Sequence, residues 1–171
     1  MSSTSLRWRL HRLILRAWRH VPMPLRSVVV RLASPTYSAG SIVLVEREHG
    51  ELLLIQQSYR HGWGLPGGLL AKGETPQRAA CREVLEEVGL EIELIGSCRL
   101  VLDVVHRRLD FVHRARLPHT GLAQTARPTS PEILQARWFA RDDLPPLQPE
   151  TAEAIAALEG PESGPMVISS P

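Results

Sequence analysis

Several residue types are scarce or missing in this chain of 171 residues, and each shortage excludes a class of protein. Its two cysteines, Cys81 and Cys98, are too few for a disulfide framework and form no CxxC or Cys/His zinc motif. We therefore expect a reducing, cytoplasmic compartment. No apolar run approaches the roughly 20 residues that a membrane-spanning helix needs. Asparagine is absent, and Lys72 is the single lysine in an arginine-rich chain, which we interpret as codon bias.

Acidic residues are missing from the first 45 residues, which contain seven arginines: Arg7, Arg9, Arg12, Arg16, Arg19, Arg26 and Arg31. Since the whole chain carries a net charge of +2, the remainder is acidic. Apolar residues recur at three- and four-residue steps over residues 6–21, which predicts an amphipathic helix. Pro22 and Pro24 end this helix in the prediction, and a shorter helix follows over residues 25–33.

Three interpretations of the basic segment, residues 1–37, stay open. The first is a helix that packs on its own domain or on a second subunit of a homodimer. The second is a peripheral helix over residues 6–21 on an anionic membrane surface, with Trp8 and Trp18 at the lipid interface. The third is a mitochondrial targeting segment. No specific nucleic-acid binding is expected, because the segment has no recognisable fold for reading bases.

Residues 38–158 are predicted to form one mixed α/β domain. Strands are predicted over residues 38–47, 51–57, 91–102, 108–117 and 135–140. A helix is predicted from Pro76 to Val88, with Thr75 as its N-cap and Gly89 as a left-handed C-cap. Another helix is expected over residues 148–158, beginning near Pro149. The tail, residues 159–171, is expected to be disordered.

Four glutamates surround the first of these predicted domain helices. Glu74 precedes it, while Glu83, Glu86 and Glu87 stand at i, i+3 and i+4, so that three carboxylates point from one face. Like charges at this spacing weaken a helix unless a cation lies between them. Carboxylate oxygens suit hard divalent cations such as Mg²⁺ or Mn²⁺. The ordinary alternative is an acidic solvent-exposed face, but such faces normally mix lysine among their glutamates.

The segment from Gly68 to Leu90 resembles the Nudix box, Gly-x5-Glu-x7-Arg-Glu-U-x-Glu-Glu-x-Gly-U, in which U is a bulky aliphatic residue. Every defining position matches, with Val84 and Leu90 at the two aliphatic positions. The resemblance covers about residues 38–158 and implies the family's α/β/α sandwich with a mixed sheet. It also implies hydrolysis of a nucleoside diphosphate linked to another moiety, such as a nucleoside triphosphate, a nucleotide sugar or ADP-ribose.

The match assigns the metal ligands by position. Glu83, Glu86 and Glu87 are expected to bind Mg²⁺ or Mn²⁺, and in the family the carbonyl of the first box glycine, Gly68 here, also contacts metal. Bound cations would convert an acidic cleft into a site for a diphosphate and would activate water. A phosphate-binding P-loop is excluded, because Glu74 stands where that motif requires lysine.

Other charged residues are candidates for supporting roles. Arg82 has two open interpretations, a structural ion pair and a direct part in catalysis. The resemblance implies that Glu74 supports the site, as the residue at this position mostly does in the family. Arg60 is a candidate for binding substrate phosphate, with a solvated surface charge as the alternative. The resemblance also makes Glu132 a candidate for activating water, as in some family members, with the same alternative. Ala71 stands where many family members carry a further glutamate, which leaves the number of metal ions open.

The substrate itself is not encoded in a motif that we recognise. The residues after the box carry none of the signals expected for ADP-ribose, dinucleoside polyphosphate, coenzyme A or NADH substrates. A second hypothesis is a module that keeps the fold and senses a nucleotide without cleaving it. Because such proteins usually lose acids of the box and this chain retains them all, hydrolysis is the favoured hypothesis.

Overall fold

A computed structural model of the chain describes residues 3–47, 49–118, 125–160 and 166–168. The chain divides into two compact units, Met1–Thr36 and Tyr37–Pro171. Most of the tail for which the sequence predicts disorder, residues 159–171, lies outside the described residues.

The first unit contains two helices, α1 (Ser3–Trp18) and α2 (Met23–Ala33). Pro22 is the N-cap of α2, and Pro24 lies in its first turn. The two prolines separate the helices, and they also start α2. Proline is tolerated there because the N–H groups of a first helical turn have no acceptor within the helix, so the missing N–H breaks no hydrogen bond. None of the helices in the described residues has the length and apolar character of a segment that crosses a bilayer.

The second unit is a mixed sheet with two helices. Its elements are β1 (Ser38–Glu46), β2 (Leu52–Gln57), β3 (Gly67–Leu69), α3 (Pro76–Val88), β4 (Glu93–Asp103), β5 (Arg108–Arg116), β6 (Ile133–Phe139), α4 (Pro149–Glu159) and β7 (Met166–Ile168). The strand order is β6-β2-β1-β5-β4-β7, and β3 also pairs with β1. Parallel pairing of β1 with β5 at the centre is combined with antiparallel pairing of β2 with β6 and of β4 with β5.

Two apolar layers hold α3 and α4 on opposite faces of this sheet, because successive residues of β1 and β2 point to opposite sides. The layer under α3 contains Val43, Val45, Leu53, Ile55, Ala80, Val84 and Val88. The layer under α4 contains Leu44, Leu52, Leu54, Val112, Ala154, Ala157 and Leu158. Each large side chain stabilises the fold by about 1.5–3 kcal/mol on burial, so these contacts fix the rotation of both helices. The expected α/β/α sandwich is confirmed.

The sequence does not predict two of the strands. β3 has only three residues, two of them glycines, so it carries no alternation of apolar and polar side chains. It exists because its backbone pairs with β1, with Gly68 opposite Ser41. β7 lies within the segment expected to be disordered and pairs in parallel with β4, with Met166 opposite Val101.

Candidate active site

α3 carries the acidic positions of the box, and both of its ends form as the sequence predicts. The backbone N–H of Arg78 donates to the Oγ1 atom of Thr75 over 3.4 Å. Gly89 closes the helix in the left-handed region, with φ 68° and ψ 23°. Because Val84 and Val88 face the sheet, the three glutamates differ in burial: Glu87 is buried, Glu83 is half-buried and Glu86 is exposed.

The turn before and within β3 lies directly against two of these glutamates. The backbone N–H of Gly67 donates to the Oε2 atom of Glu87 over 2.9 Å. A methyl group added to Gly68 would lie 2.4 Å from the Oε1 atom of Glu83, so that carboxylate rests on the bare backbone of Gly68. The structure therefore places Glu83 against Gly68 and Glu87 against Gly67, on two neighbouring residues of the same turn.

The electrostatics of Glu87 show how strongly these acids interact. The pKa of Glu87 is raised to about 8, chiefly by burial and in smaller part by the charges of Glu83, Glu132 and Glu86, against the hydrogen bond from Gly67, which lowers it. Glu132 is exposed on the loop before β6, yet its charge reaches the same site. A cluster of oxygen donors in which ionisation is costly fits a divalent cation, because the cation removes the repulsion between the carboxylates.

Arg82 pairs with three of the four box glutamates. Its Nε and Nη2 atoms donate to the two carboxylate oxygens of Glu74 over 2.9 and 2.8 Å. Its Nη1 atom donates to Glu83 over 2.7 Å and to Glu86 over 3.1 Å. The bidentate pairing with Arg82 lowers the pKa of Glu74 to about 2, so Glu74 is ionised at neutral pH. This geometry favours the structural interpretation of Arg82 and a supporting role for Glu74.

A metal ion would have to compete with Arg82 for two of its predicted ligands. Among the residues that the structure describes, no group of three or more histidine, cysteine or acidic side chains is gathered closely enough to hold an ion. Arg82 is the cation that Glu83 and Glu86 contact here. Binding of a divalent ion by all three glutamates therefore requires the side chains of Glu83 and Glu86 to turn from Arg82 toward Glu87.

A cleft of about 280 Å³ opens beside Gly67 and Gly68. Its floor includes Gly40 of β1, where an added methyl group would lie 2.6 Å from the Oδ1 atom of Asp110. Asp110 is opposite Gly40 in the parallel pairing of β1 with β5. Because Gly40 has no side chain, space remains above the sheet at this point. The Oδ1 atom of Asp110 therefore borders the cleft.

Two arginines on the cleft wall share one carboxylate. Arg60 donates to the Oε1 atom of Gln148 over 3.2 Å and to the Oε1 atom of Glu150 over 3.0 Å. Arg108 donates to Glu150 over 3.4 Å and to the Oδ2 atom of Asp110 over 2.6 Å. Burial raises the pKa of Asp110, although its ion pair with Arg108 opposes this effect. The candidate Arg60 therefore lies at a cleft next to the box.

Sequence reasoning missed Arg108, Asp110 and Glu150. One available signal is the i, i+2 spacing of Arg108 and Asp110, which places a charged pair on one face of a predicted strand. Glu150 gives no such signal, because an acid in the first turn of a helix is common.

Comparison with known proteins identifies the family. The NUDIX domain model matches residues 36–158. A MutT-like protein of Streptomyces ambofaciens is 31% identical over 137 residues, which cover 79% of this chain and 84% of that protein. The 8-oxo-dGDP phosphatase of Homo sapiens is 39% identical over 104 residues, which cover 57% of this chain and 31% of that longer protein.

A solved structure supports the same assignment of fold. A Nudix hydrolase from Nitrosomonas europaea superposes with a TM-score of 0.64 at 22% identity, covering 79% of this chain and 80% of that one. The family model, the relatives and the shared fold agree with the complete box on α3. The chain therefore belongs to the Nudix family of hydrolases, as the resemblance implied.

Proposed function

We propose that this chain is a Mg²⁺- or Mn²⁺-dependent hydrolase that cleaves a phosphoanhydride bond in a nucleoside diphosphate linked to another moiety. The observation that carries the proposal is the meeting of the α3 carboxylates with the Gly67–Gly68 turn at the edge of a cleft. The family match supports hydrolysis, and the oxygen-rich donor set supports a hard divalent cation.

The proposed roles follow from the contacts of each side chain. Glu83, Glu86 and Glu87, with the backbone carbonyl of Gly68, would hold the ion. The N–H of Gly67 fixes the orientation of the Glu87 carboxylate through its 2.9 Å hydrogen bond. A bound divalent cation supplies neutralisation of the diphosphate and a water of lowered pKa. Arg82 neutralises Glu83 and Glu86 before the ion binds, and their carboxylates would turn from Arg82 toward Glu87 when it does.

The reaction that this arrangement supports is hydrolysis at one phosphorus atom. Oxygen of an attacking water forms a bond to phosphorus, the bond from that phosphorus to the bridging oxygen breaks, and the bridging oxygen leaves on the second product. The water proton passes to a carboxylate; Glu132 and a box glutamate are the candidates, because their charges act on the same site. The products are two phosphate-bearing molecules, or a nucleotide and pyrophosphate.

The cleft supports binding of a nucleotide-type substrate next to the carboxylates. Arg60 and Arg108 present guanidinium groups to it, and guanidinium donors match phosphate oxygens in charge and geometry. Substrate phosphate would compete with the Glu150 carboxylate for these two arginines. The cleft volume, about 280 Å³, is near the lower end of the range for small-molecule sites, which is consistent with a single nucleotide moiety.

A substrate panel with metal removal tests the proposal. We expect turnover of at least one compound among nucleoside triphosphates, nucleotide sugars, ADP-ribose, dinucleotides and 8-oxo-dGDP, the last because a relative acts on it. Turnover should stop with EDTA and return with added Mg²⁺ or Mn²⁺. Product release is measured by chromatography. Tight binding in calorimetry without turnover of any compound would contradict hydrolysis and favour a nucleotide-sensing module.

Arg60→Gln is expected to raise KM by about 10–100-fold and to change kcat much less, because a lost charge-assisted hydrogen bond weakens substrate binding. Glutamine retains a polar side chain and leaves the box untouched. Steady-state kinetics on the best substrate of the panel measure the effect. The matched control is Arg137→Gln, an exposed arginine on β6, which should leave both constants unchanged. An unaltered KM in Arg60→Gln would show that Arg60 is a surface charge without a role in substrate binding.

A further inference from the structure

The helices of the first unit expose an unusual number of large apolar side chains. On α1 these are Trp8, Leu13, Ile14 and Leu15, and on α2 they are Met23, Leu25, Val28, Val29, Val30 and Leu32. Leu32 is 83% exposed, and no residue of α2 is buried. Isolated apolar residues on a surface are normal, whereas a contiguous set marks an interaction site.

On α2 four of the six exposed apolar side chains form one face. Leu25, Val28, Val29 and Leu32 follow the three- and four-residue steps that place side chains on one side of a helix. Arg26 lies at one flank of this face. The apolar residues of α1 predicted to share a face include Leu13 and Ile14, and both are more than half exposed. Each helix therefore presents an apolar stripe that its own unit leaves exposed.

The same two helices are strongly basic. All seven arginines of the first 45 residues lie on α1, on α2 or in the short turn between them, and no acidic residue occurs there. Arg16 places a positive charge in the last turn of α1, and Arg31 does the same in α2. A partner must therefore combine an apolar region with a high density of negative charge.

We propose that α1 and α2 bind the surface of an anionic lipid bilayer. The apolar stripes would enter the boundary between headgroups and acyl chains, and the arginines would contact lipid phosphates. Nucleic acid satisfies the charge but offers no surface for a row of leucines and valines. A second copy of the segment satisfies the apolar stripe but brings a further seven arginines, which repel the first seven. The anionic bilayer satisfies both requirements.

Vesicle flotation of the full chain tests this proposal. We expect the protein to float with phosphatidylcholine vesicles that contain phosphatidylserine and to remain unbound with phosphatidylcholine alone. Raising the salt concentration should weaken binding, because added ions screen the attraction between arginine and phosphate. Equal binding to both vesicle types, or binding to neither, would overturn the proposal.

Two sets of substitutions separate the apolar and the basic contributions. Leu25→Ser combined with Val28→Ser, and Arg12→Gln combined with Arg16→Gln, are each expected to lower partitioning by about 10-fold or more. Circular dichroism checks that both helices persist. The matched controls, Leu134→Ser and Arg137→Gln on β6, remove an exposed apolar and an exposed basic residue from the other unit and should bind vesicles normally.

Other occupants of the surface give distinct results. Dimerisation in light scattering that Leu25→Ser with Val28→Ser abolishes, without vesicle binding, would assign the stripes to a second copy. RNA binding in fluorescence anisotropy that survives loss of Leu25 and Val28 would assign the arginines to nucleic acid. Either result overturns the lipid proposal. Hydrolysis is measured separately on soluble substrate, so failure of one proposal leaves the other standing.

Discussion

Glu83→Gln is expected to lower kcat by about 1,000-fold while the protein stays folded. The carboxylate of Glu83 lies against the Gly68 backbone and beside Glu87, so it is a central ligand of the proposed metal site. Glutamine has nearly the same shape and can still accept the hydrogen bond that Arg82 donates over 2.7 Å. The substitution therefore removes the negative charge and leaves the packing intact. Steady-state kinetics with Mg²⁺ and Mn²⁺, combined with thermal unfolding, measure the two effects separately.

The matched control for this prediction is Glu93→Gln. Glu93 is an exposed glutamate at the start of β4, three residues after the end of the box, and it pairs with Arg116. Surface ion pairs of this kind contribute little, so kcat and the melting temperature should both stay close to the parent values. If Glu83→Gln retained most of its activity, or lost activity only as far as Glu93→Gln does, the proposed metal site would be contradicted.

Gly67→Ala is expected to reduce the free energy of unfolding by about 4 kcal/mol or more. Gly67 has φ 153°, and an added methyl group would lie 2.3 Å from the carbonyl oxygen of Ser41 and 2.9 Å from the Cα atom of Ile42. Both are backbone atoms of β1, at the centre of the sheet, so they cannot move aside as a flexible side chain could. Relief of the clash requires β3 to separate from β1 and breaks the contact between Gly67 and Glu87. Urea unfolding measures the loss.

Gly96→Ala is the control that isolates the clash from the cost of backbone conformation. Gly96 also has a positive φ, 69°, but an added methyl group there would meet no atom within 4 Å. Its substitution should cost only the conformational penalty of a left-handed residue, about 1–2 kcal/mol. Equal losses in the two variants would show that β3 shifts freely, and would contradict the tight packing of the glycine turn on β1.

Local patterns explain why so much of the box helix could be predicted. Thr75, Pro76 and Gly89 specify the ends of α3 through contacts within a few residues, and the apolar periodicity specifies the face toward the sheet. The i, i+3 and i+4 spacing of the glutamates gives their shared direction. These features need no information from the rest of the chain, and the structure reproduces them.

Interactions between distant segments explain what the sequence did not reveal. β3 forms because its backbone pairs with β1. Two of its three residues are glycines, so no alternation of apolar and polar side chains predicts the strand. Arg60 and Arg108 meet at Glu150, which is 90 and 42 residues away from them in the chain. That meeting depends on the parallel pairing of β1 with β5 and on α4 packing across the sheet.

The sequence by itself determined the family, the length and caps of α3, the direction of its glutamates and the basic, apolar character of the first helices. Each of these is a short-range or periodic property that adjacent residues encode. Tertiary structure alone decided that Arg82 holds Glu74, Glu83 and Glu86, that Glu87 is buried with a raised pKa, and that a cleft opens over Gly40. Burial and contacts across the fold depend on where remote segments pack, and no local pattern specifies that.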